Sequence, residues 1–254
     1  MSDVVLTEVR ERTLLITISR PEKRNAVNGA VAQGIASAID RLDSSPDLAV
    51  GVLTGAGPTF CSGMDLAAFL AGESPYVDGR GFAGLTQGRP DKPLIAAVEG
   101  AAVAGGFEMV LACDLIVAAS NTWFAVPEVK RGLTAAGGAL FNLTRRLPFH
   151  IALEMLLTGD PISALKADAL GLVNYVVDPG TVVARALELA EVIGRNGPLA
   201  LAATKQVVWA AQDWAVADGF DLQREWTDLV RSSNDAREGA LAFTERRDPV
   251  WTGS

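Results

Sequence analysis

The sequence predicts an α/β fold with a helical C-terminal region. Two observations lead to this prediction: apolar runs typical of strands alternate with helical patterns up to about residue 148, and helical patterns dominate beyond it. The composition is that of a folded protein, because 49% of the 254 residues are hydrophobic and only 20% are charged. A chain of this length can bury a sizeable core, so disorder is excluded.

The first half of the chain carries most of the strand signals. Residues 4–9 and 13–19 are β-branched runs separated by a short polar turn, which predicts an opening hairpin. Further apolar strands are predicted at residues 49–53, 94–98 and 115–119. Helices are predicted between them, from apolar residues at helical spacing or after glycine turns, at residues 28–42, 64–71 and 107–112.

Helical patterns follow after Pro148, with one predicted strand at residues 172–177. The predicted helices cover residues 151–157, 163–170, 181–193, 198–211, 212–230 and 234–246. We therefore divide the chain into an α/β body, residues 1–195, and a helical C-terminal region, residues 196–254. Residues 72–90 contain five glycines and two prolines without clear periodicity, which predicts a mobile loop.

Composition excludes several classes of protein. The formal net charge of −8 and the lack of a basic patch argue against a nucleic-acid partner. His150 is the only histidine, so a metal centre built from several histidines is impossible. Cys61 and Cys113 form no CxxC motif, which favours a reducing compartment. Acidic residues interrupt the apolar stretch 94–119, so we expect a cytoplasmic protein without a membrane span.

The segment 59–66, with the sequence TFCSGMDL, combines a glycine turn with the start of a helix. Such a turn leaves backbone N–H groups free to bind an anion or a polarised carbonyl group. An ordinary turn between a strand and a helix is the alternative. Ser62 lacks the G-x-S-x-G setting of an esterase nucleophile.

Two carboxylates stand in apolar surroundings. Glu108 follows the glycine pair of the segment 97–108 and falls in the first turn of a predicted helix, where it either acts chemically or only complements the helix dipole. Glu128 follows Pro127 at the end of an apolar run, which would raise its pKa, although a surface pair with Arg131 is the alternative. Together, two glycine turns and two such carboxylates favour oxyanion stabilisation combined with acid–base chemistry.

Three separated motifs occur in the order found in the enoyl-CoA hydratase/isomerase (crotonase) superfamily, which the chain resembles over nearly its whole length. Residues 20–28 resemble the RP…NALN loop, and residues 60–65 resemble F-x-x-G-x-D. Residues 100–114 resemble G-x-x-x-G-G-G-x-E…CD, with Ala104 in place of the first glycine of the triple. Ala67 stands where many hydratases carry a lysine, and the segment 132–138 is shorter than in many relatives, which would reshape the acyl pocket.

The resemblance implies a crotonase-like core of repeated ββα units and an enoyl-CoA hydratase. It assigns the oxyanion hole to the amides of Met64 and Gly105, and the acid–base work to Glu108 and Glu128. It implies an acyl-CoA substrate, no metal, no redox cofactor and a homotrimer or dimer of trimers. The substrate-binding residues that it implies are Arg24, Ala26, Ser62, Asp65 and Leu66.

Other functions remain open at this level. A carnitinyl-CoA dehydratase-like lyase could use the same two carboxylates, whereas an enoyl-CoA isomerase needs only one of them. A non-catalytic acyl-CoA-binding protein is an alternative of a different class, but it would have no need for both Glu108 and Glu128. A dinucleotide-dependent dehydrogenase is excluded because no G-x-G-x-x-G follows a strand.

Overall fold

A computed structural model describes residues 4–254. Strands and α-helices alternate through the first two thirds of this range, and helices fill the remainder. The strands are β1 (Val5–Arg10), β2 (Thr13–Ile18), β3 (Val50–Gly55), β4 (Tyr76–Val77), β5 (Gly81–Phe82), β6 (Leu94–Val98), β7 (Ala101–Val103), β8 (Leu115–Ala119), β9 (Trp123–Ala125), β10 (Ile162–Ser163) and β11 (Tyr175–Val177). The helices are α1 (Gly29–Ser44), α2 (Leu66–Leu70), α3 (Gly105–Ala112), α4 (Ala139–Arg146), α5 (Phe149–Thr158), α6 (Ala164–Ala169), α7 (Val182–Gly194), α8 (Pro198–Ala210), α9 (Gly219–Leu222), α10 (Arg224–Ser232) and α11 (Asn234–Glu245).

The main sheet has six strands in the order β1-β2-β3-β6-β8-β11. Its first pair, β1 and β2, is the antiparallel hairpin that the sequence predicts, and the other neighbours run parallel. The central strands are continuous apolar runs, which is the composition expected of parallel strands covered on both faces. The predicted α/β class is confirmed, and the strand predicted at residues 94–98 has the bounds that the structure gives β6.

Helices cover both faces of this sheet. Because successive side chains of a strand point to opposite faces, Leu53 and Ala96 join the core beneath α1 and α3, whereas Val52 and Ile95 pack against α7. Small side chains on α7, including Ala186, let that helix lie close to the sheet. The two cores therefore hold the central strands rigidly between helical layers.

Three consecutive ββα units position the residues of interest. In the clearest unit, β6 leads to β7 of a second, three-stranded sheet, and β7 leads directly into α3. The preceding unit runs from β3 through a bridge at Cys61 into α2, and the following one from β8 through β9 into a 3-10 turn at Pro127–Arg131. Met64, Gly105 and Glu128 each follow the second strand or bridge of their unit, so the repeat brings separate turns to one place.

Residues 72–90, for which a mobile loop without regular structure is predicted, contain two short strands. Strands β4 and β5 form a hairpin there, with Tyr76 opposite Phe82 and Val77 opposite Gly81. Phe82, Ala83 and Leu85 are buried in the main core. The short strands escaped the sequence analysis because two residues show no periodicity, and the burial of Phe82 comes from contacts distant in sequence.

The single helix predicted at residues 212–230 is wrong. The chain leaves helical geometry at Trp214, whose φ and ψ of −88° and 145° are extended, and then forms α9 and α10. The rings of Trp214 and Trp226 stack with centroids 6.0 Å apart. In a continuous helix these residues would lie roughly 18 Å apart along the axis, so packing of the two indoles overrides the helical pattern.

Crossing a bilayer would need a longer and more apolar helix than any found in residues 4–254.

Candidate active site

Two turns that precede helices lie side by side. Cys61 bridges Ala102 in parallel: its N–H donates to Ala101 O at 3.1 Å, and its carbonyl accepts from Val103 N–H at 3.0 Å. The backbones approach so closely that a Cβ on Gly106 would lie 2.4 Å from the Cys61 carbonyl oxygen. Glycine is therefore required at position 106, and the two turns are held in fixed register.

The amides of Met64 and Gly105 are both free. The Gly63 carbonyl accepts from Val27 N–H at 2.8 Å, and because the peptide is trans, the Met64 N–H points away from Val27. Neither the Met64 nor the Gly105 amide donates to an acceptor within residues 4–254. A Cβ on Gly63 would lie 3.3 Å from Gly105 N, so the two turns meet at this point. The two unpaired N–H groups therefore lie on adjoining turns, and two such groups can together bind one oxygen atom.

Ala104 directs the Gly105 amide through a strained backbone. Its φ and ψ are 53° and −128°, a region that favours glycine, and its own N–H donates to Ala125 O at 2.9 Å. Gly105 itself lies against the ring of Phe82, which a Cβ would approach to 2.4 Å. Ala104, which stands in place of the first glycine of the triple, looks like a conservative change in the sequence. In the structure its backbone is strained, and it lies at the edge of the site.

Glu108 lies in the first turns of α3 and is only 4% exposed. Its Oε1 accepts from Ala139 N–H at 3.1 Å. Its Oε2 lies so close to Gly137 that a Cβ on this glycine would be only 2.5 Å from it. Burial raises the pKa of Glu108 to about 7, the charge of Glu128 adds to the rise, and the amides of Ala139 and Gly137 oppose it. This carboxyl group can therefore exchange a proton near neutral pH.

Glu128 lies in the 3-10 turn that follows β9. Its Oε2 is buried and has no hydrogen-bond partner within residues 4–254. Burial raises the pKa of Glu128, while its own backbone N–H and the charge of Arg131 oppose the rise. Arg131 makes no ion pair with it among the described residues, so a simple surface pair does not explain this carboxyl group.

Tyr76 is a residue of this site that the sequence analysis missed. It makes an edge-to-face contact with Phe82, with ring centroids 5.7 Å apart, and Phe82 in turn covers Gly105. Burial raises the pKa of the Tyr76 phenol, and the nearby charges of Glu108 and Glu128 add to the rise. Both carboxylates therefore act electrostatically on the Tyr76 phenol. In the sequence, Tyr76 and Phe82 stand out only as the two aromatic residues of a glycine-rich segment.

The loop that precedes α1 is tied to the first turn. The Arg24 carbonyl accepts from Ser62 N–H at 3.0 Å, and Ala26 is buried beside this contact. Asn25, fully buried at φ 54°, donates through Nδ2 to Ala56 O at 2.9 Å and to Thr59 O at 2.6 Å. The Arg24 side chain itself is exposed and free to meet a ligand at the surface.

Asp65 links Arg20 to the start of α2. Its Oδ2 pairs with Arg20 at 2.9 Å, and its Oδ1 caps α2 by accepting from Ala68 N–H at 3.2 Å. Burial alone would raise the pKa of Asp65, but these hydrogen bonds and the Arg20 charge lower it overall. Because both oxygens are engaged, the carboxylate positions the Met64 turn. Leu66 begins α2 and is half exposed, close to the same turn.

The structure thus brings Met64, Gly105, Glu108 and Glu128 to one place, and leaves Arg24 at its rim. Two free amides can stabilise negative charge on a carbonyl oxygen, while two carboxyl groups with raised pKa can move protons nearby. No group of three or more His, Cys, Asp or Glu side chains within residues 4–254 is placed to hold a metal ion. This arrangement suits the class of enzyme that combines acid–base chemistry with stabilisation of a carbonyl oxygen.

Comparison with known proteins agrees with this class. The family model for enoyl-CoA hydratase/isomerase matches residues 8–254, and the chain belongs to this family. An enoyl-CoA hydratase from Mycobacterium tuberculosis superposes with a TM-score of 0.98 at 52% identity, over 100% of both chains. The carnitinyl-CoA dehydratase of Proteus mirabilis is 39% identical over 100% of both chains. Enoyl-CoA hydratase EchA19 of Mycobacterium tuberculosis is 39% identical, covering 96% of this chain and 94% of that protein.

Replacement of Ala104 by glycine should stabilise the protein. A non-glycine residue at such a backbone position costs on the order of 1–3 kcal/mol of stability. Glycine loses more conformational entropy on folding than alanine does, which cancels part of the gain from relieving this strain. We expect Ala104→Gly to raise the free energy of unfolding by about 1 kcal/mol in urea titrations. Ala101→Gly, in the preceding strand at negative φ, is the matched control and should be destabilising. Equal destabilisation by both changes would contradict strain at Ala104.

Burial of Glu108 should make stability depend on pH. The folded-state pKa of about 7 lies above the ordinary value of 4.5, so the folded state retains a proton that the unfolded state releases. Stability should therefore fall as pH rises from about 4.5 to 7, by roughly 3 kcal/mol from this group. Glu108→Gln stays neutral and keeps an acceptor for Ala139 N–H, so it should remove this fall.

Urea titrations at pH 5 and pH 8 measure the difference. The stability of Glu108→Gln relative to the unmodified protein should increase between these two pH values. Glu154→Gln, an exposed position on α5, is the control and should show the pH dependence of the unmodified protein. A parallel pH dependence for Glu108→Gln would show that the buried carboxyl group is already ionised at pH 5.

Proposed function

We propose that the protein is an enoyl-CoA hydratase, which adds water across the 2,3 double bond of a 2-enoyl-CoA. The single observation that carries this proposal is the pair of carboxyl groups, Glu108 and Glu128, beside two free amides. Full-length similarity to the enoyl-CoA hydratases named above supports it.

The thioester carbonyl oxygen binds between the amides of Met64 and Gly105. When a nucleophile attacks C3, negative charge develops on this oxygen as the enolate forms, and both N–H groups stabilise it. One such donor typically contributes about 10²–10³ in rate. The donors are fixed in advance by the Cys61–Ala102 bridge, so little reorganisation is needed during the reaction.

The two carboxyl groups hold the attacking water and move its protons. Their mutual repulsion favours a state in which one carries a proton and the other is ionised. The ionised group removes a proton from water as its oxygen bonds to C3, and Glu128 delivers a proton to C2. Glu128 suits this second task because its buried Oε2 has no protein partner within residues 4–254. The elements of one water molecule are added, so no electrons leave the substrate.

Substrate contacts follow from the same geometry. Ala26, Ser62 and Leu66 surround the turn that carries Met64, and the exposed Arg24 can meet the phosphates of coenzyme A. Asp65 acts on the substrate only through the turn that it holds. Tyr76 contributes a hydroxyl group to the acyl side of the site. The chemistry requires no metal or redox cofactor, because amides and carboxyl groups supply the charge stabilisation and the proton transfers.

Glu128→Gln should separate catalysis from binding. Glutamine keeps the shape of the side chain but cannot donate the proton, so we expect hydration of 2-butenoyl-CoA to slow by at least ~10². The affinity for butanoyl-CoA should stay within a few-fold of that of the unmodified protein. Turnover is followed by the loss of conjugated enoyl absorbance, and affinity by titration calorimetry.

Glu154→Gln again serves as the control and should retain full turnover. Full turnover in Glu128→Gln would remove Glu128 from the mechanism. Tight binding of butanoyl-CoA without turnover in the unmodified protein would favour the acyl-CoA-binding alternative.

A carnitinyl-CoA dehydratase-like lyase is the second candidate function. The identity of 39% with the Proteus mirabilis protein supports it, and the two carboxyl groups would run the same proton transfers in reverse. Comparison of kcat/KM for 2-butenoyl-CoA and carnitinyl-CoA distinguishes the two substrates.

We further propose that residues 196–254 mediate assembly into a homotrimer or a dimer of trimers. Apolar side chains on this helical region are strongly exposed, namely Val216 at 92%, Phe220 at 77% and Phe243 at 85%. The indole N–H of Trp209, by contrast, donates to Asp114 in the α/β body at 2.7 Å, so this side chain packs against its own chain. Exposed apolar groups of this number favour a subunit contact.

Sedimentation equilibrium tests the assembly. We expect a mass of three or six copies for the unmodified protein, and a smaller mass for the double change Phe220→Ser and Phe243→Ser. Val192→Ser, which removes an exposed apolar group from α7, is the control and should leave the mass unchanged. A monomer at micromolar concentration would contradict the proposal.

We also propose that the protein is cytoplasmic and acts in fatty acid metabolism. Both cysteines are free and buried, which suits a reducing compartment. Burial raises the pKa of the Cys61 thiol to about 12, so it stays protonated and unreactive.

A further inference from the structure

Arg20 joins the loop that precedes α1 to the turn that carries the Met64 amide. Its Nη1 donates to the Ala26 carbonyl at 2.5 Å, and its Nη2 pairs with Asp65 Oδ2 at 2.9 Å. Its own backbone N–H donates to Asn25 Oδ1 at 2.9 Å, and its side chain is only 13% exposed. The protein itself therefore fixes both ends of this arginine, and the guanidinium group lies between the loop and the turn.

The Ala26 carbonyl begins a chain of aligned peptide groups. This carbonyl and the Val27 N–H belong to one planar peptide group, and the Val27 N–H donates to the Gly63 carbonyl at 2.8 Å. The Gly63 carbonyl and the Met64 N–H form the next planar peptide group. Both hydrogen bonds point the same way, from the guanidinium group of Arg20 toward the Met64 N–H. The orientation of this N–H therefore depends on where Arg20 holds the Ala26 carbonyl.

The charge of Arg20 stands at the end of this chain opposite to the free N–H. A charged donor makes a stronger hydrogen bond than a neutral one, and hydrogen bonds in a row polarise one another. The guanidinium group therefore favours negative charge on an oxygen atom that the Met64 N–H binds. Asp65 balances part of the positive charge, and at the same time it holds the guanidinium group in place.

The Gly105 amide is supported in a different way. The carbonyl of its peptide group, that of Ala104, accepts from two N–H groups of α3 at 2.9 and 3.0 Å. The helix itself thus holds this peptide group. The peptide group of Met64 is linked instead to Val27, in the loop that Arg20 fixes. A change at Arg20 should therefore act on the Met64 amide and leave the Gly105 amide in place.

We propose that Arg20 is a positioning residue of the oxyanion hole, which orients and polarises the Met64 N–H through the two intervening peptide groups. This inference rests on the proposed function, because it takes the thioester carbonyl oxygen as the acceptor of the Met64 N–H. Arg20 acts here without touching the substrate. Its loss should therefore weaken the stabilisation of developing negative charge more than it weakens substrate binding.

Kinetics of Arg20→Met test the proposal. We expect kcat for 2-butenoyl-CoA to fall about tenfold, a part of the 10²–10³ typical of a whole oxyanion donor. The affinity for butanoyl-CoA, measured by titration calorimetry, should stay within a few-fold. Arg12→Met is the matched control, because Arg12 lies at the other end of β2, where it donates to the Gly194 carbonyl at 3.0 Å. This variant also loses an arginine that links two segments, but it should retain full kcat.

The infrared carbonyl stretch of bound, isotope-labelled butanoyl-CoA measures the polarisation directly. Hydrogen bonds that polarise a thioester carbonyl lower its stretching frequency, so the frequency should fall when the unmodified protein binds the ligand. Arg20→Met should reverse part of this fall. Arg20→Lys keeps a charged donor but loses the planar fork that serves two acceptors, so it should reverse a smaller part. Arg12→Met should leave the frequency of the bound ligand unchanged.

Several outcomes would overturn the role of Arg20. An unchanged kcat or an unchanged carbonyl stretch in folded Arg20→Met would do so. A loss of affinity as large as the loss of kcat would assign Arg20 to substrate binding or to general stability instead. If Arg20→Met does not fold, Arg20→Lys decides, and a carbonyl stretch equal to that of the unmodified protein would overturn the proposal. Absence of turnover by the unmodified protein would contradict the proposed hydratase, whereas the carbonyl stretch would still test Arg20.

Discussion

The parallel bridge between Cys61 and Ala102 is the contact on which the site depends. Each of the two turns could exist alone as an ordinary connection between a strand and a helix. The bridge sets their register, so the turns that carry the amides of Met64 and Gly105 lie side by side. Gly106 makes this approach possible, since a side chain there would meet the Cys61 carbonyl at 2.4 Å. Close backbone packing therefore precedes any chemistry at the site.

The site contains features that oppose stability. Glu108 is buried at the cost of a strongly raised pKa, Glu128 has a buried oxygen without a partner among the described residues, and Ala104 occupies a backbone region suited to glycine. Such features persist only where the surrounding structure fixes them. Here the two cores on either face of the main sheet, together with the buried Asn25, provide that support.

Much of this arrangement could be predicted from the sequence because its signals are local. Apolar runs predict the central strands, and the motif order predicts the site positions of Met64, Gly105, Glu108 and Glu128. The hairpin of Tyr76 and Phe82 could not be predicted, because its two-residue strands form only through packing against Gly105 and the core. The break at Trp214 escaped for a similar reason, since it depends on the Trp226 ring that packs against it.

The pKa of Glu108 depends on the backbone at the start of α4, where Gly137 and Ala139 lie against its carboxyl group. Burial raises its pKa, and the amides of Gly137 and Ala139 lower it again, so the value of about 7 is a difference between opposing effects. Neither amide contacts Met64 or Gly105 through a hydrogen bond among the described residues. Changes in residues 132–139 can therefore shift the pKa of Glu108 while the turns of Met64 and Gly105 stay in place. Because the backbone bridge and this segment are separate, a change in the surroundings of Glu108 need not move the two amides.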